Sequence, residues 1–222
     1  MLIDPRLTGA ERRAAAAAEL IATTVAMAEG GMPLMRRVVP ENDHRVWAHY
    51  PPNDAVDSAT EARWFYHAHP PEEREAGEHG HFHLFLDRDA FGGVEAIAGP
   101  LDPQTGDARV VHIAALSIDL VGLPTTLFSV NRWVTDEWLH AAPYILDRLH
   151  MFDLSTASSG DELVNRWLTA AVATFAPEIE SVLTSRDHAI AGARPGFFEN
   201  RSAEILSSID IDLQRCVTQP DR

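Results

Sequence analysis

Five histidines fall within seventeen residues, at His67, His69, His79, His81 and His83. Neutral imidazole is the commonest protein ligand for zinc, copper, nickel and ferrous iron, so this spacing points first to metal chemistry. In an extended chain successive side chains alternate between faces. His67 and His69 would then share one face of a strand, and His79, His81 and His83 one face of the next. An antiparallel hairpin that aligned the two faces would bring two to four rings together, and His112 on a further strand could join them. The candidate metal ligands are therefore His67, His69, His81, His83 and His112, with Glu73, Glu78 and Asp119 as carboxylate partners. Three protein ligands would leave an open position. There a bound water becomes acidic enough to attack, or oxygen meets a redox metal. Cysteine is absent and methionine scarce near the cluster, which disfavours cuprous copper; zinc, iron and cupric copper are served equally. The plain alternative is a solvated strand face, on which the rings would lie exposed and apart. His44, His49, His140, His150 and His188 stand singly and are expected on loop or helix surfaces.

The elements that must position these rings read as follows. Thr8 and Glu11 have the spacing of a capping box, predicting an alanine-rich helix to about Glu29 that buries Leu20, Thr24 and Met27. Arg45 to Tyr50 reads as a short strand before a Pro51-Pro52-Asn53-Asp54 turn. Arg63 to His69 is an aromatic strand stopped by Pro70-Pro71, and His79 to Leu86 is its hairpin partner. Arg109 to Leu120 and Leu123 to Trp133 are two more strands, separated by a turn at Gly122. Beyond Thr135 the pattern becomes helical. Thr135-Asp136-Glu137, a second box at Ser159 to Glu162, and Pro177 each read as a helix start, and Asn200 as the cap of a last helix with Leu206, Ile209, Leu213 and Cys216 in one stripe. The expected fold is α+β, in one domain over residues 1–222. Its mostly antiparallel sheet spans about residues 60–135, with an N-terminal helix and a C-terminal helical region packed on it.

Composition removes several function classes. The net charge is −15 and the 18 basic residues are all arginine. Such a surface repels phosphate backbones and anionic lipid, so neither nucleic acid nor a membrane is an expected partner. Without lysine there is no Schiff-base chemistry and no Walker-type phosphate lysine. A single cysteine, Cys216, excludes an internal disulfide and cysteine-rich clusters. No apolar run approaches a membrane span and charges interrupt the first helix, so the expected compartment is the cytoplasm.

Three resemblances overlap the cluster. His79-Gly80-His81-Phe82-His83-Leu84-Phe85 resembles the histidine-triad signature of nucleotide hydrolases and transferases. That likeness implies His81 as a nucleophile on an α-phosphate, supported by His79 and His83. His67-Ala68-His69 with Glu73 and Gly80 is similar to the first metal motif of cupins, although Pro70-Pro71 interrupts the strand and no second motif surrounds His112. Gly80 to Leu86, His112 to Ser117, and Gly122-Leu123-Pro124 through Leu127-Phe128 to Asn131-Arg132-Trp133-Val134-Thr135 resemble a bacterial family of unknown function over about residues 60 to 140. That family implies no chemistry, but it implies that His81, His83, His112, Asn131 and Arg132 share one site. Asn131 and Arg132 are therefore candidate substrate-binding residues, Arg132 through a bidentate grip on a carboxylate or phosphate. Equally, Arg132 could pair with Asp136 or Glu137 to anchor a helix start. Trp64, Trp133, Trp138 and Trp167 are expected as core or pocket wall.

The leading expectation is a protein that binds a divalent metal and acts on a small-molecule ligand. A metal-free nucleotidyl or phosphoryl hydrolase and a non-catalytic binding module are the alternatives.

Overall fold

A computed structural model describes residues 2–4, 6–41, 45–101 and 109–218. His44, expected at a surface, lies outside the described residues. The fold is α+β, built on six antiparallel strands whose order in the sheet is their order in the chain. They are β1 (Tyr50–Val56), β2 (Arg63–His67), β3 (Glu78–Asp87), β4 (Val110–Asp119), β5 (Pro124–Val130) and β6 (Ile205–Asp210). Helix α1 (Gly9–Glu29) and the short α2 (Leu34–Val38) precede the sheet. Between β5 and β6 come α3 (Arg132–Thr135), α4 (Ala142–Leu146), α5 (Glu162–Thr174) and α6 (Ala176–Ala191), and α7 (Leu213–Thr218) follows β6.

The capping box forms as its spacing predicts. The Thr8 side chain accepts from the Glu11 amide, while the Glu11 carboxylate accepts from the Thr8 amide at 3.0 Å. Helix α1 buries Ala16, Ala17, Leu20 and Met27 and packs on α5, to which it is tied by Trp167 Nε1–H donating to Thr24 Oγ1 at 3.0 Å. Helix α5 starts two residues later than a box at Ser159 would require. Its cap is Asp161, which accepts from the Leu163 and Val164 amides. Trp64 anchors this helix to the sheet by donating Nε1–H to Asn165 Oδ1 at 2.8 Å.

One face of the sheet carries Trp64, Tyr66, Phe82, Leu84, Val111, Ile113, Leu116 and Leu127, and these merge with α1, α5 and α6 into the main apolar core. The opposite face carries Phe65, Phe85 and Val110, then Ala115, Phe128 and Val130, with the histidines among them.

The sheet is wider than the sequence suggests at both edges. Pro51 to Asp54 lie inside β1, not in a turn. Two prolines are tolerated there because β1 pairs only with β2 and its outer amides have no ladder to serve. At the other edge Ile205–Asp210 is a strand and not a helix. The stripe of Leu206, Ile209 and Leu213 fits a helical period, but Ile209-Asp210-Ile211-Asp212 alternates at period two, and pairing with β5 decides in favour of the strand. Thr135 to Glu137 likewise ends a helix, with Asp136 in the left-handed region at φ 50°. Pro143 opens α4 at its first turn, and Pro177 is the second residue of α6.

Gly80 is fixed by close approach. A Cβ at this position would overlap the His67 carbonyl oxygen and the Tyr66 phenol of β2. Gly80→Ala is therefore expected to destabilise the protein by about 1–3 kcal/mol, the usual cost of overpacking a filled core. Urea unfolding followed by tryptophan fluorescence measures it, and an unchanged midpoint would show that β2 and β3 are not packed as described.

Candidate metal centre

Strand alternation and two irregularities place the histidines. In the β2–β3 hairpin His67 stands opposite His81 and Phe65 opposite His83, so His67, His81 and His83 project from one face. Register shifts in β3 between Glu78 and Gly80, and in the β3–β4 pairing between Leu84 and Phe85, then change the parity of two further residues. The first brings Glu78 onto the face of His81, although three positions separate them, and sends His79 to the Tyr66 hydroxyl. The second leaves Ile113 and Ala114 both in the core and turns His112 toward His83. Each irregularity adds one residue that strict alternation does not count. His79, His81 and His83 consequently do not form one row, as plain alternation would have it.

His67, His81 and His83 are buried and each offers a ring nitrogen within 4.8 Å of the others, close enough for the three to hold a metal ion. Their hydrogen bonds indicate which nitrogens are available. His81 Nδ1 bonds Glu78 Oε1 at 3.0 Å, and that same oxygen accepts from Ser117 Oγ–H at 2.8 Å. His83 Nδ1 bonds His112 Nε2 at 3.1 Å. Both rings therefore turn Nε2 inward, and His81 Nε2 meets His67 Nε2 at 2.8 Å. The ionised Glu78 carboxylate can only accept, so His81 donates to it through Nδ1–H and leaves Nε2 facing His67. Two nitrogens that share a proton can instead share a cation. Ring rotations that open this pair to about 3.3 Å would give tetrahedral bonds of about 2.0–2.1 Å. A carboxylate or second imidazole behind each ligand is the usual way a metal-binding histidine is oriented.

The electrostatics keep these rings ready to ligate. Burial, reinforced by the neighbouring imidazoles His81 and His69, pushes the His67 pKa down to about 2. Burial and His81 place His83 well below its usual value, and burial with the Arg186 charge lowers His112 to about 3. His69 is half-buried and pushed down to about 4, first by burial and then by His81. All four are neutral at pH 7, the form a metal requires. Burial pushes Glu78 upward, but the bonds from His81 and Ser117, together with the charges of the His81 and His69 rings, outweigh it and hold its pKa below the usual value. Glu137 accepts from the His112 amide at 2.8 Å and is pushed up to about 7 by burial.

The other candidate residues are placed differently. His112 stands behind His83 and does not face the shared centre. The His69 ring lies 5.0 Å from both His67 and His81 under the indole of Trp47, at 4.1 Å. Asn131 is buried and donates to the carbonyls of Phe197 and Ala203. Arg132 pairs with Glu199 at 2.6 Å, not with Asp136 or Glu137, and donates to the Gly99 carbonyl. Of the isolated histidines, His150 and His188 are exposed as expected. His140 is not: it is buried with its ring stacked on Phe91 at 4.4 Å, because Leu139 beside it pairs with Ala98 and draws the segment inward. His49 is exposed but stacks on Phe65 at 3.8 Å and belongs to the site's wall.

Sequence reasoning missed Trp47, His49, Glu204 and Asp210. Together with the triad they line an open cleft of about 1270 Å³ whose floor is His67, His81 and His83. Trp47 sits there in the left-handed region, at φ 63°, its backbone N–H donating to the Ala68 carbonyl oxygen at 2.9 Å. For a bulky residue that conformation is strained, and such strain collects at binding sites. The alternation in Ile209 to Asp212 is the one signal that could have placed Asp210 at the cleft.

Among known proteins, a family model described as a domain of unknown function, DUF6969, matches residues 14–211. No curated protein and no solved structure matches the chain. Among the described residues no helix is long and apolar enough to cross a membrane.

Proposed function

The chain belongs to the DUF6969 family, and on the chemistry of its histidine face we propose that it binds one divalent metal ion through Nε2 of His67, His81 and His83 and uses it on a small molecule. The observation that carries this reading is the buried triad, with ring nitrogens within 4.8 Å, at the floor of an open cleft. Three neutral nitrogen ligands leave a position for water or substrate on the cleft side. Glu78 and His112 orient two of the ligands. A metal in this site supplies Lewis acidity, and zinc, iron and cupric copper all suit an imidazole set.

A phosphate-transferring triad is less well supported. His79 is bonded to Tyr66 and not aligned with His81 and His83, and among the described residues no arginine lines the cleft to receive a phosphate.

The test is zinc titration of chelator-treated, tag-free protein followed calorimetrically. One equivalent per chain is expected; less than a tenth of an equivalent under saturating conditions would end the proposal.

A further inference from the structure

The register of the sheet lays out the floor of the cleft row by row. Phe65 of β2 stands opposite His83 of β3, His83 opposite Ala115 of β4, Ala115 opposite Phe128 of β5, and Phe128 opposite Ser208 of β6. Two strand spacings, about 10 Å, separate β3 from β5. The Phe128 ring nevertheless reaches the triad, its centroid 5.1 Å from that of His81 and 6.5 Å from that of His83. It can do so because the residue between them is Ala115, whose single methyl leaves the space above β4 open.

Beyond Phe128 the wall of the same cleft is apolar, with Val130, Val134 and Ile205 in its lining. Ala115, Phe128, Val130 and Val134 pack into a small cluster of their own, apart from the main core. Ile205 stands opposite Val130 on the edge strand β6 and is 56% exposed. Proteins usually avoid an exposed apolar side chain on an edge strand, and here it prolongs the apolar wall into the open cleft. The occupant that suits this wall is a small molecule. A stable protein interface uses about 20–30 residues a side, far more than this cluster offers. The wall is also continuous with the triad in one cleft of about 1270 Å³, large enough for a small-molecule ligand.

We propose that the cleft takes an amphiphilic small molecule, its polar head at the histidine triad and its apolar tail laid over Ala115 and Phe128 toward Val130, Val134 and Ile205. This deepens the metal-site reading and rests on it for the head group alone. Burial of the tail is driven by removal of apolar surface from water and needs no metal bond.

The experiment uses acetohydroxamate and octanohydroxamate, which share a zinc-binding head and differ only in the length of the tail, titrated calorimetrically into the full chain carrying one equivalent of zinc. Each added methylene should tighten binding about twofold, so the longer probe should bind at least ~30-fold more tightly. Ile205→Asp places a charge on the apolar wall and should reduce that ratio roughly tenfold. Leu120→Asp, at a residue 69% exposed on the turn between β4 and β5, should leave it unchanged. With or without zinc, octanohydroxamate should shift the methyl resonances of Val134 and Ile205 in nuclear magnetic resonance spectra of the full chain. Equal affinity of the two probes, a ratio insensitive to Ile205→Asp, or shifts at neither methyl would overturn the inference. If zinc fails to bind while octanohydroxamate still shifts those methyls, the metal reading falls and the apolar subsite stands. If zinc binds and the longer tail gains nothing, the reverse holds.

Discussion

Replacing His81 by alanine should lower zinc affinity by at least ~100-fold, and replacing His83 should do the same, while His188→Ala, on the exposed end of α6, should leave it unchanged. The floor of that estimate comes from the weaker insult. Removing a group that merely orients a ligand costs about 10–100-fold in metal affinity, and Glu78→Gln, which keeps a hydrogen-bond acceptor for His81 but loses its charge, should fall in that range. Removing a ligand must cost more, because two nitrogens do not hold a divalent ion against water. The ordering is the informative part. His81→Ala and His83→Ala should be the most damaging, Glu78→Gln intermediate and His188→Ala neutral. Competition against a chelator of known affinity gives all four values. Equal affinities across the series would place the metal elsewhere, and a Glu78→Gln loss larger than the ligand losses would make Glu78 itself a ligand. His83→Ala also leaves a cavity on the sheet face, so folding of each variant is checked by circular dichroism.

Metal-free protein should lose stability steeply in mild acid, by about 2–3 kcal/mol for each pH unit below 6.5. His67, His83 and His112 are buried neutral, and burial is the main cause of their lowered proton affinity. The unfolded chain takes up protons near the usual 6.5 that the folded chain refuses, so stability is full above that pH and falls as pH drops toward the folded values. Glu137 acts in the opposite sense. Burial raises it to about 7 from the usual 4.5, so its contribution is present below 4.5 and is lost as pH rises through 7. Three histidines opposed by one carboxyl leave a net uptake of about two protons on unfolding, each worth ~1.4 kcal/mol per pH unit. Between pH 6.5 and 4.5 the loss reaches about 5 kcal/mol, comparable with the whole stability of many domains. Half-buried His69 adds a smaller, solvent-screened share. Urea unfolding in the presence of a chelator should show this slope, and a flat profile between pH 6.5 and 5 would mean that the histidines are solvated in the folded chain. Zinc should raise the midpoint at pH 7 and lose that effect as acid protonates the ligands.

How much of this could be read from the sequence depends on where simple alternation holds. His67, His81 and His83 share a face because the hairpin of β2 and β3 follows period two through that stretch. Glu78 and His112 reach the same face only through register shifts, and a single added residue leaves no clear mark in a sequence. The same effect removes His79 from the row. Gly80 looks like a defect in a histidine motif, yet it is required by the closeness of His67 and Tyr66 on the neighbouring strand. The α+β class and the N-terminal capping box were legible because they rest on local patterns. The strand Ile205–Asp210 was not, since a helical stripe and a two-residue alternation overlap there and only pairing with β5 decides between them. Trp47 and His49 are placed by long-range contacts, with the Ala68 carbonyl and the Phe65 ring, which no local pattern encodes.

The central claim is that one metal ion sits among the Nε2 atoms of His67, His81 and His83. X-ray absorption at the zinc edge of the protein loaded with one equivalent tests it most directly. The spectrum should show three imidazole nitrogens at about 2.0–2.1 Å and one light oxygen neighbour, with imidazole scattering reduced in His81→Ala. A first shell of carboxylate and water oxygens, without imidazole scattering, would contradict it.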